Sequence, residues 1–120
     1  MLSRMKIAVV GAGHMGTALI SGMLRAKLLA PNRIAAARGS ETALAELRKR
    51  WGVKTFTDNS KAVAGADIVI LAVKPQNAGV VVRGIAPAMK PSQLVISLMA
   101  GITTSSISGL LKTSCPVVRA

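Results

Sequence analysis

The amino-acid sequence predicts an α/β fold: a doubly wound parallel sheet of about six strands with helices on both faces. Three observations carry this. Ile7-Ala8-Val9-Val10 is hydrophobic at consecutive positions and Asp67–Val73 nearly so, the pattern of strands covered on both sides. Segments of helical spacing alternate with such runs through short connections. The first run also ends on a glycine-rich turn that opens a helix.

Taken in order, Lys6–Val10 is a compact strand that stops at Gly11. From His14 the spacing becomes helical, with Met15, Leu19, Ile20, Met23 and Leu24 recurring, and it fades near Pro31-Asn32. Arg33–Ala37 is a second strand. Glu41–Arg50 is a helix with Leu44 and Leu47 inward and Glu41 in its first turn, where the helix dipole favours an anion. Gly52 ends it, and Val53–Phe56 is a third strand. Asp58-Asn59-Ser60 offers caps for a short helix through Ala64. Asp67–Val73 is the fourth strand, Pro75 forces a turn, and a helix runs from Asn77 to Ile85. Leu94–Leu98 is the fifth strand, Thr104–Lys112 a helix, and Pro116–Arg119 opens the sixth strand. Without repeats or low-complexity linkers, residues 1–120 make one domain.

Half of the chain, 51%, is hydrophobic, but Trp51 and Phe56 are its only aromatics, so the predicted core is aliphatic. Sixteen Lys and Arg stand against Glu41, Glu46, Asp58 and Asp67, a formal net charge of +12. Such an excess suits a polyanion or a phosphorylated cofactor. Along the chain the basic residues are scattered, and the densest cluster, Arg48-Lys49-Arg50, reads as a solvated helix end. With so few aromatics to stack bases, no specific nucleic-acid partner is expected. Cys115 is solitary, which rules out an intrachain disulfide, suits a reducing compartment and reads as an inert thiol. The basic start MLSRMK followed by IAVV is broken by glycines too early for a signal peptide. No run approaches the ~18 apolar residues of a membrane span, so a soluble, cytoplasmic protein without membrane contact is expected.

Gly11-Ala12-Gly13-His14-Met15-Gly16 fits G-x-G-x-x-G in the strand-to-helix context of a dinucleotide fingerprint, which makes the expected fold Rossmann-like. Gly11 permits the tight turn, Gly13 lets a pyrophosphate approach the backbone, and Gly16 allows close helix–strand packing. The helix N-terminus then offers N–H groups to phosphate. His14 reads as a polar loop residue without a proton-transfer role, and Met15 as a packing residue above the pyrophosphate. A domain that binds NAD usually places Asp or Glu at the end of the second strand, on the ribose hydroxyls. Here that position reads Ala37-Arg38-Gly39-Ser40. A guanidinium and a hydroxyl in place of the acid suit a 2′-phosphate, which selects NADP, with NADPH preferred over NADH. The other reading of Arg38 is a surface arginine in a turn.

VVGAGHMG, LAVKPQ at 71–76, SLMAG at 97–101 and the closing VVRA resemble pyrroline-5-carboxylate reductase, in that order and over the whole chain. The resemblance implies reduction of Δ1-pyrroline-5-carboxylate to L-proline with NADPH or NADH, the last step of proline synthesis. It implies that Arg38, Ser40 and Asn59 lie around the adenosine 2′-phosphate and adenine. Ala72, Val73, Lys74 and Pro75 would then lie beside the nicotinamide ribose, with Ala100 and Gly101 over the nicotinamide. Met99 departs from the small residue usual at its position. In that family VVRA continues into a Met-Pro-Asn segment and an all-helical second domain that makes the dimer and holds the substrate. The family's catalytic hydroxyl lies there, so no catalytic residue is expected within 1–120. The isolated chain is expected to be inactive, and a homo-oligomer only in the full-length form. Two further readings stand beside this one. The first, another NADP-dependent reductase such as a coenzyme F420-dependent NADP oxidoreductase, is opposed by LAVKPQ. The second, a basic nucleic-acid-binding or interaction module, is opposed by scattered charge and scarce aromatics.

Overall fold

A computed structural model describes residues 4–120. The apolar runs form β1 (Ile7–Val10), β2 (Ile34–Ala37), β3 (Lys54–Phe56), β4 (Ile68–Leu71), β5 (Leu94–Ser97) and β6 (Val117–Arg119). They make one six-stranded sheet of order β3-β2-β1-β4-β5-β6, with every ladder parallel. Parallel neighbours need a crossover, and helices supply it: α1 (His14–Arg25), α2 (Glu41–Trp51), α3 (Asn59–Ala64), α4 (Ala78–Ile85) and α5 (Thr104–Leu111). The doubly wound α/β sheet expected from the sequence is the sheet observed.

Alternation along each strand divides the core in two. Ala8, Val10, Val69 and Leu71 pack with Val63 of α3, Val82 and Ile85 of α4, and Ile107 and Leu111 of α5. Ile7, Val9 and Ile70 face the other way, onto Ile20 and Met23 of α1 and Leu44 and Leu47 of α2. Ile20, Leu44, Ile85 and Ile107 are completely buried. Each such side chain contributes about 1.5–3 kcal/mol by leaving water. On the α1–α2 face, Ile68, Ile96 and Leu98 stay half-buried.

Most boundaries lie within one residue of the sequence reading, and two differ by more, for identifiable reasons. The first helix stops at Arg25, not near Pro31, because Lys27 turns the chain with φ of +55°. Leu28 N–H reaches back to Met23 O (3.1 Å) and Lys27 N–H to Leu24 O (3.1 Å), a Schellman closure. The apolar Leu28 and Leu29 that prolonged the helical pattern lie beyond this closure. Likewise β4 ends at Leu71, and Ala72 and Val73 belong to the following loop.

The starts of α2, α3 and α5 are capped by nearby side chains: Ser40 Oγ accepts from Ala43 N–H, Asp58 Oδ1 from Ser60 N–H, and Thr103 Oγ1 from Ser106 N–H. α3 is held at its other end from far away. Gln93, 2% exposed, donates through Nε2 to Val63 O (2.7 Å) and Ala66 O (2.8 Å), and its Oε1 accepts from Lys90 N–H (2.7 Å).

Candidate functional site

With every strand parallel, the loops that follow the strands meet along one edge of the sheet. The chain reverses its winding between β1 and β4, where open α/β sheets leave a crevice for ligands. To this edge come Gly11–Gly16 after β1, Arg38 and Ser40 after β2, and Asn59 after β3. Ala72–Pro75 arrives after β4, and Ala100 and Gly101 after β5. The loops are laced to neighbouring strands by backbone bonds. Gly11 N–H and Ala12 N–H both donate to Ala37 O (3.0 Å), Arg38 N–H to Phe56 O (3.2 Å), and Ala72 N–H to Val10 O (2.9 Å).

Two of the three glycines of the first loop are required by close neighbours. Gly11 has φ of +87°, and a Cβ there would lie 2.6 Å from Val73 Cγ1 and 2.8 Å from Val73 N. The turn after β1 and the turn after β4 therefore touch at this point, a contact the sequence does not reveal. A Cβ on Gly16 would meet Gly11 O at 2.8 Å and Val9 Cγ1 at 3.1 Å, so close approach of α1 to the strand excludes a side chain. Gly13 differs: a Cβ there would meet nothing within 4 Å. The space over Gly13 is open to a ligand.

Gly13 is the N-cap of α1, with no side-chain cap and no acidic residue in the first turn. Thr17 N–H donates to Gly13 O (2.8 Å) as the first helical bond, leaving the amides of His14, Met15 and Gly16 without a backbone acceptor. These amides and the positive end of the dipole suit an anion. His14 is exposed, as is Met15 at 57%, so Met15 presents apolar surface at the rim and does not pack in the core.

Arg38 is exposed, and its guanidinium has no ion pair or hydrogen bond among the described residues. The nearest acid in sequence, Glu41, is occupied by Arg48 at 2.7 Å. Arg38 borders two shallow depressions between α1 and α2. One, of about 330 Å³, is lined by Gly13, His14, Thr17, Arg50 and Trp51, and the other, of about 130 Å³, by Ala12, Ala43, Glu46 and Arg50. Sequence reasoning missed Arg50 and treated it as part of a solvated helix end. Its guanidinium lies 5.3 Å from the Trp51 ring centroid, with Arg25 at 5.8 Å. The available signal was its spacing: Arg50 lies three and four positions beyond Leu47 and Glu46, on the helix face turned to α1.

Ser40 carries a duty the sequence reading had not given it, as the cap of α2. Asn59 is half-buried in the first turn of α3. After β4, Lys74 and Pro75 are exposed, and Lys74 O accepts from Asn77 N–H (2.9 Å), which closes the proline turn. Ala100 and Gly101 are exposed, Gly101 with φ of +77°. Met99 is 2% exposed and sits in the cluster with Ile107 and Leu111. The core absorbs this large residue, so it does not narrow the crevice. Cys115 lies in the same cluster, and burial pushes its thiol pKa up while a backbone hydrogen bond opposes more weakly. A thiol held protonated is a poor nucleophile. Among the described residues no His, Cys, Asp and Glu cluster could hold a metal ion, and no helix is long and apolar enough to cross a membrane.

Unblocked amides, clearance over Gly13 and an unpaired guanidinium are what a phosphorylated dinucleotide requires, so the site's chemistry fits that group. Comparison with known proteins points the same way. The family described as NADP oxidoreductase, coenzyme F420-dependent, matches residues 6–101. Pyrroline-5-carboxylate reductase of Pseudomonas aeruginosa is 39% identical over 118 residues, which cover 98% of this chain and 43% of that protein. The structure of a pyrroline-5-carboxylate reductase from Coxiella burnetii superposes with a TM-score of 0.90 at 32% identity, over 96% of this chain and 43% of the other. A Plasmodium falciparum pyrroline carboxylate reductase with NADP bound gives a TM-score of 0.79 at 25% identity, over 92% and 39%. The chain thus spans less than half the length of these relatives.

Proposed function

We propose that this chain, which belongs to the coenzyme F420-dependent NADP oxidoreductase family, is the cofactor-binding half of a pyrroline-5-carboxylate reductase. The carrying observation is the end of β2, where an unpaired Arg38 stands in place of the usual ribose-binding acid. In this reading the amides of His14, Met15 and Gly16 and the clearance over Gly13 receive the pyrophosphate. Arg38 and the Ser40 hydroxyl receive the 2′-phosphate, and Asn59 flanks the adenine. Ala72, Val73, Lys74 and Pro75 line the ribose side, with Ala100 and Gly101 over the nicotinamide. Bound nicotinamide would supply the hydride for reduction of a C=N bond.

The chain's own contribution is orientation. Gly11 against Val73 fixes the first loop on the fourth, so one rigid edge holds both ends of the cofactor. Identity across nearly the whole chain with pyrroline-5-carboxylate reductases favours that substrate over coenzyme F420. The substrate carboxylate and ring nitrogen are assigned to a helical second domain, as is a homo-oligomer of the complete enzyme. A cytoplasmic, reducing setting suits its buried, unpaired Cys115.

Titration of the 120-residue chain with NADPH and NADH, followed by nicotinamide fluorescence, tests the proposal. NADPH is expected to bind about tenfold or more tightly, and NADPH oxidation with pyrroline-5-carboxylate is expected only when a helical second domain is supplied. Equal affinity for the two cofactors defeats the assignment of Arg38. Robust proline formation by the 120 residues alone defeats the division of labour.

A further inference from the structure

The fold gathers basic residues that are scattered along the sequence. Arg4 and Lys6 precede β1, Arg33 precedes β2, Lys54 opens β3, and Lys90 precedes β5. Arg25 and Lys27 end α1, while Lys49, Lys61 and Lys112 stand at the ends of α2, α3 and α5. Strand starts and helix ends lie on the edge opposite the candidate cofactor site, apart from Arg50 in the last turn of α2, which reaches back to that site. All of these residues except half-buried Arg33 are exposed. Asp67 is the carboxylate at this edge, and it accepts from Lys6 N–H (2.8 Å). Helix C-termini attract cations, but each carries only about half a negative charge, too little to offset this excess.

Part of the edge is concave. Lys6, Arg33, Lys54 and Lys61 line a cavity of about 110 Å³ floored by Ile7 and Phe56, with no carboxylate in its wall. Arg33 is held in place by donating to Arg4 O (2.8 Å). No carboxylate in that wall offsets its four basic residues, so the cavity suits an anion.

The kind of anion follows from what the edge lacks. Of the large exposed hydrophobic residues among those described, Met15, Leu28, Val80 and Val118, only Leu28 belongs to this edge, which leaves little there to insert into a membrane. Trp51 is half-buried beside Arg25 and Arg50, and Phe56 is half-buried, so neither is a free platform for an unpaired base. What remains is a basic strip with room for regularly spaced phosphates. Six strands at about 4.8 Å spacing give it a width of roughly 24 Å, and duplex DNA carries a charge about every 1.7 Å.

We propose that the edge formed by the strand starts and helix ends binds the phosphate backbone of double-stranded nucleic acid without reading its sequence. Because it lies opposite the candidate cofactor site, duplex and dinucleotide can be held together.

The test is fluorescence anisotropy of two labelled DNA duplexes of unrelated sequence with the 120-residue chain, across a salt series. Both duplexes are expected to bind alike, with micromolar affinity near physiological salt and a log–log salt slope of about −4 or steeper, one phosphate for each cavity cation. Lys54→Glu with Lys61→Glu is expected to weaken binding on the order of tenfold while leaving NADPH affinity unchanged. If that pair of changes disturbs folding, Lys90→Glu with Lys112→Glu reports on the same edge from other elements. Absent binding or a slope shallower than about −1 overturns the proposal. Strong preference for one sequence, displacement of the duplex by NADPH, or tighter binding to anionic phospholipid vesicles at equal salt also overturns it.

Discussion

At the edge where the strands end, the backbone turns with positive φ on Gly11 and Gly101, and the cations are few: Arg38, Lys74 and Arg119, with Arg50 of α2 reaching the same depression as Arg38. At the edge where the strands begin, it turns with positive φ on Lys27, Lys112 and Gly52, in the midst of basic side chains. The backbone plan gives the two edges opposite polarity, because helix N-termini meet at the first and C-termini at the second. The sequence treats these fields differently. It leaves the α1 N-terminus bare of acids and side-chain caps, so its positive end remains available. It overfills the negative ends with lysine, even at positions whose left-handed backbone would suit glycine better. One edge is thus kept clear for a ligand's charge, and the other carries more charge than the fold can neutralise.

The sharpest way to break this comparison lies within the first loop. Gly11→Ala forces a Cβ into the Val73 backbone at an unfavourable φ, and is expected to cost roughly 2–5 kcal/mol of stability together with cofactor binding. Gly13→Ala has φ of −83° and nothing within 4 Å, so it is expected to leave the melting temperature nearly unchanged yet abolish NADPH binding. Thermal denaturation beside cofactor titration checks both; equal destabilisation by the two changes would contradict the open space over Gly13.

A smaller effect is expected from Arg38→Ala. Loss of a charge-assisted contact should weaken NADPH by roughly 1.5–3 kcal/mol and leave NADH nearly unaltered, as measured by isothermal titration. Matching losses for the two cofactors would move the 2′-phosphate elsewhere, with Arg50 the next residue to test.

Smallest is Lys27→Gly at the opposite edge. Relief of the left-handed strain should raise stability by up to about 1 kcal/mol in denaturant unfolding, offset in part by added freedom in the unfolded chain. The same change should weaken duplex binding slightly, since it removes one cation from the strip.

The strands were legible because burial on both faces leaves unbroken apolar runs, as in Ile68–Leu71. Boundaries blurred where apolar residues continued past the hydrogen bonding, at Leu28-Leu29 and Ala72-Val73, since periodicity reports burial and not backbone geometry. In the candidate site, the glycine loop and the missing acid at the end of β2 could be read locally. The Gly11–Val73 contact could not, because it joins loops some sixty residues apart through a ladder known only from the fold. Met99 looked like a departure at the crevice, whereas its side chain is turned into the core. The basic edge was invisible for a similar reason: residues from Arg4 to Lys112 become neighbours only once every strand points the same way.

The amide of Gln93 has a consequence for the order of assembly. A six-residue helix such as α3 is too short to persist alone, and the carbonyls of Val63 in its last turn and of Ala66 just beyond it are met by a side chain 30 and 27 residues later. No strand pairs with its immediate successor through a tight turn; Ile7 waits for Ile34 on one side and Ile68 on the other. During synthesis the apolar stretch Ile68–Leu71 therefore leaves the ribosome well before the residue that seats α3 beside it. Until Gln93 docks, α3 has no side chain on those carbonyls, and the apolar stretch is left with part of its cover unfixed, the kind of intermediate that aggregates.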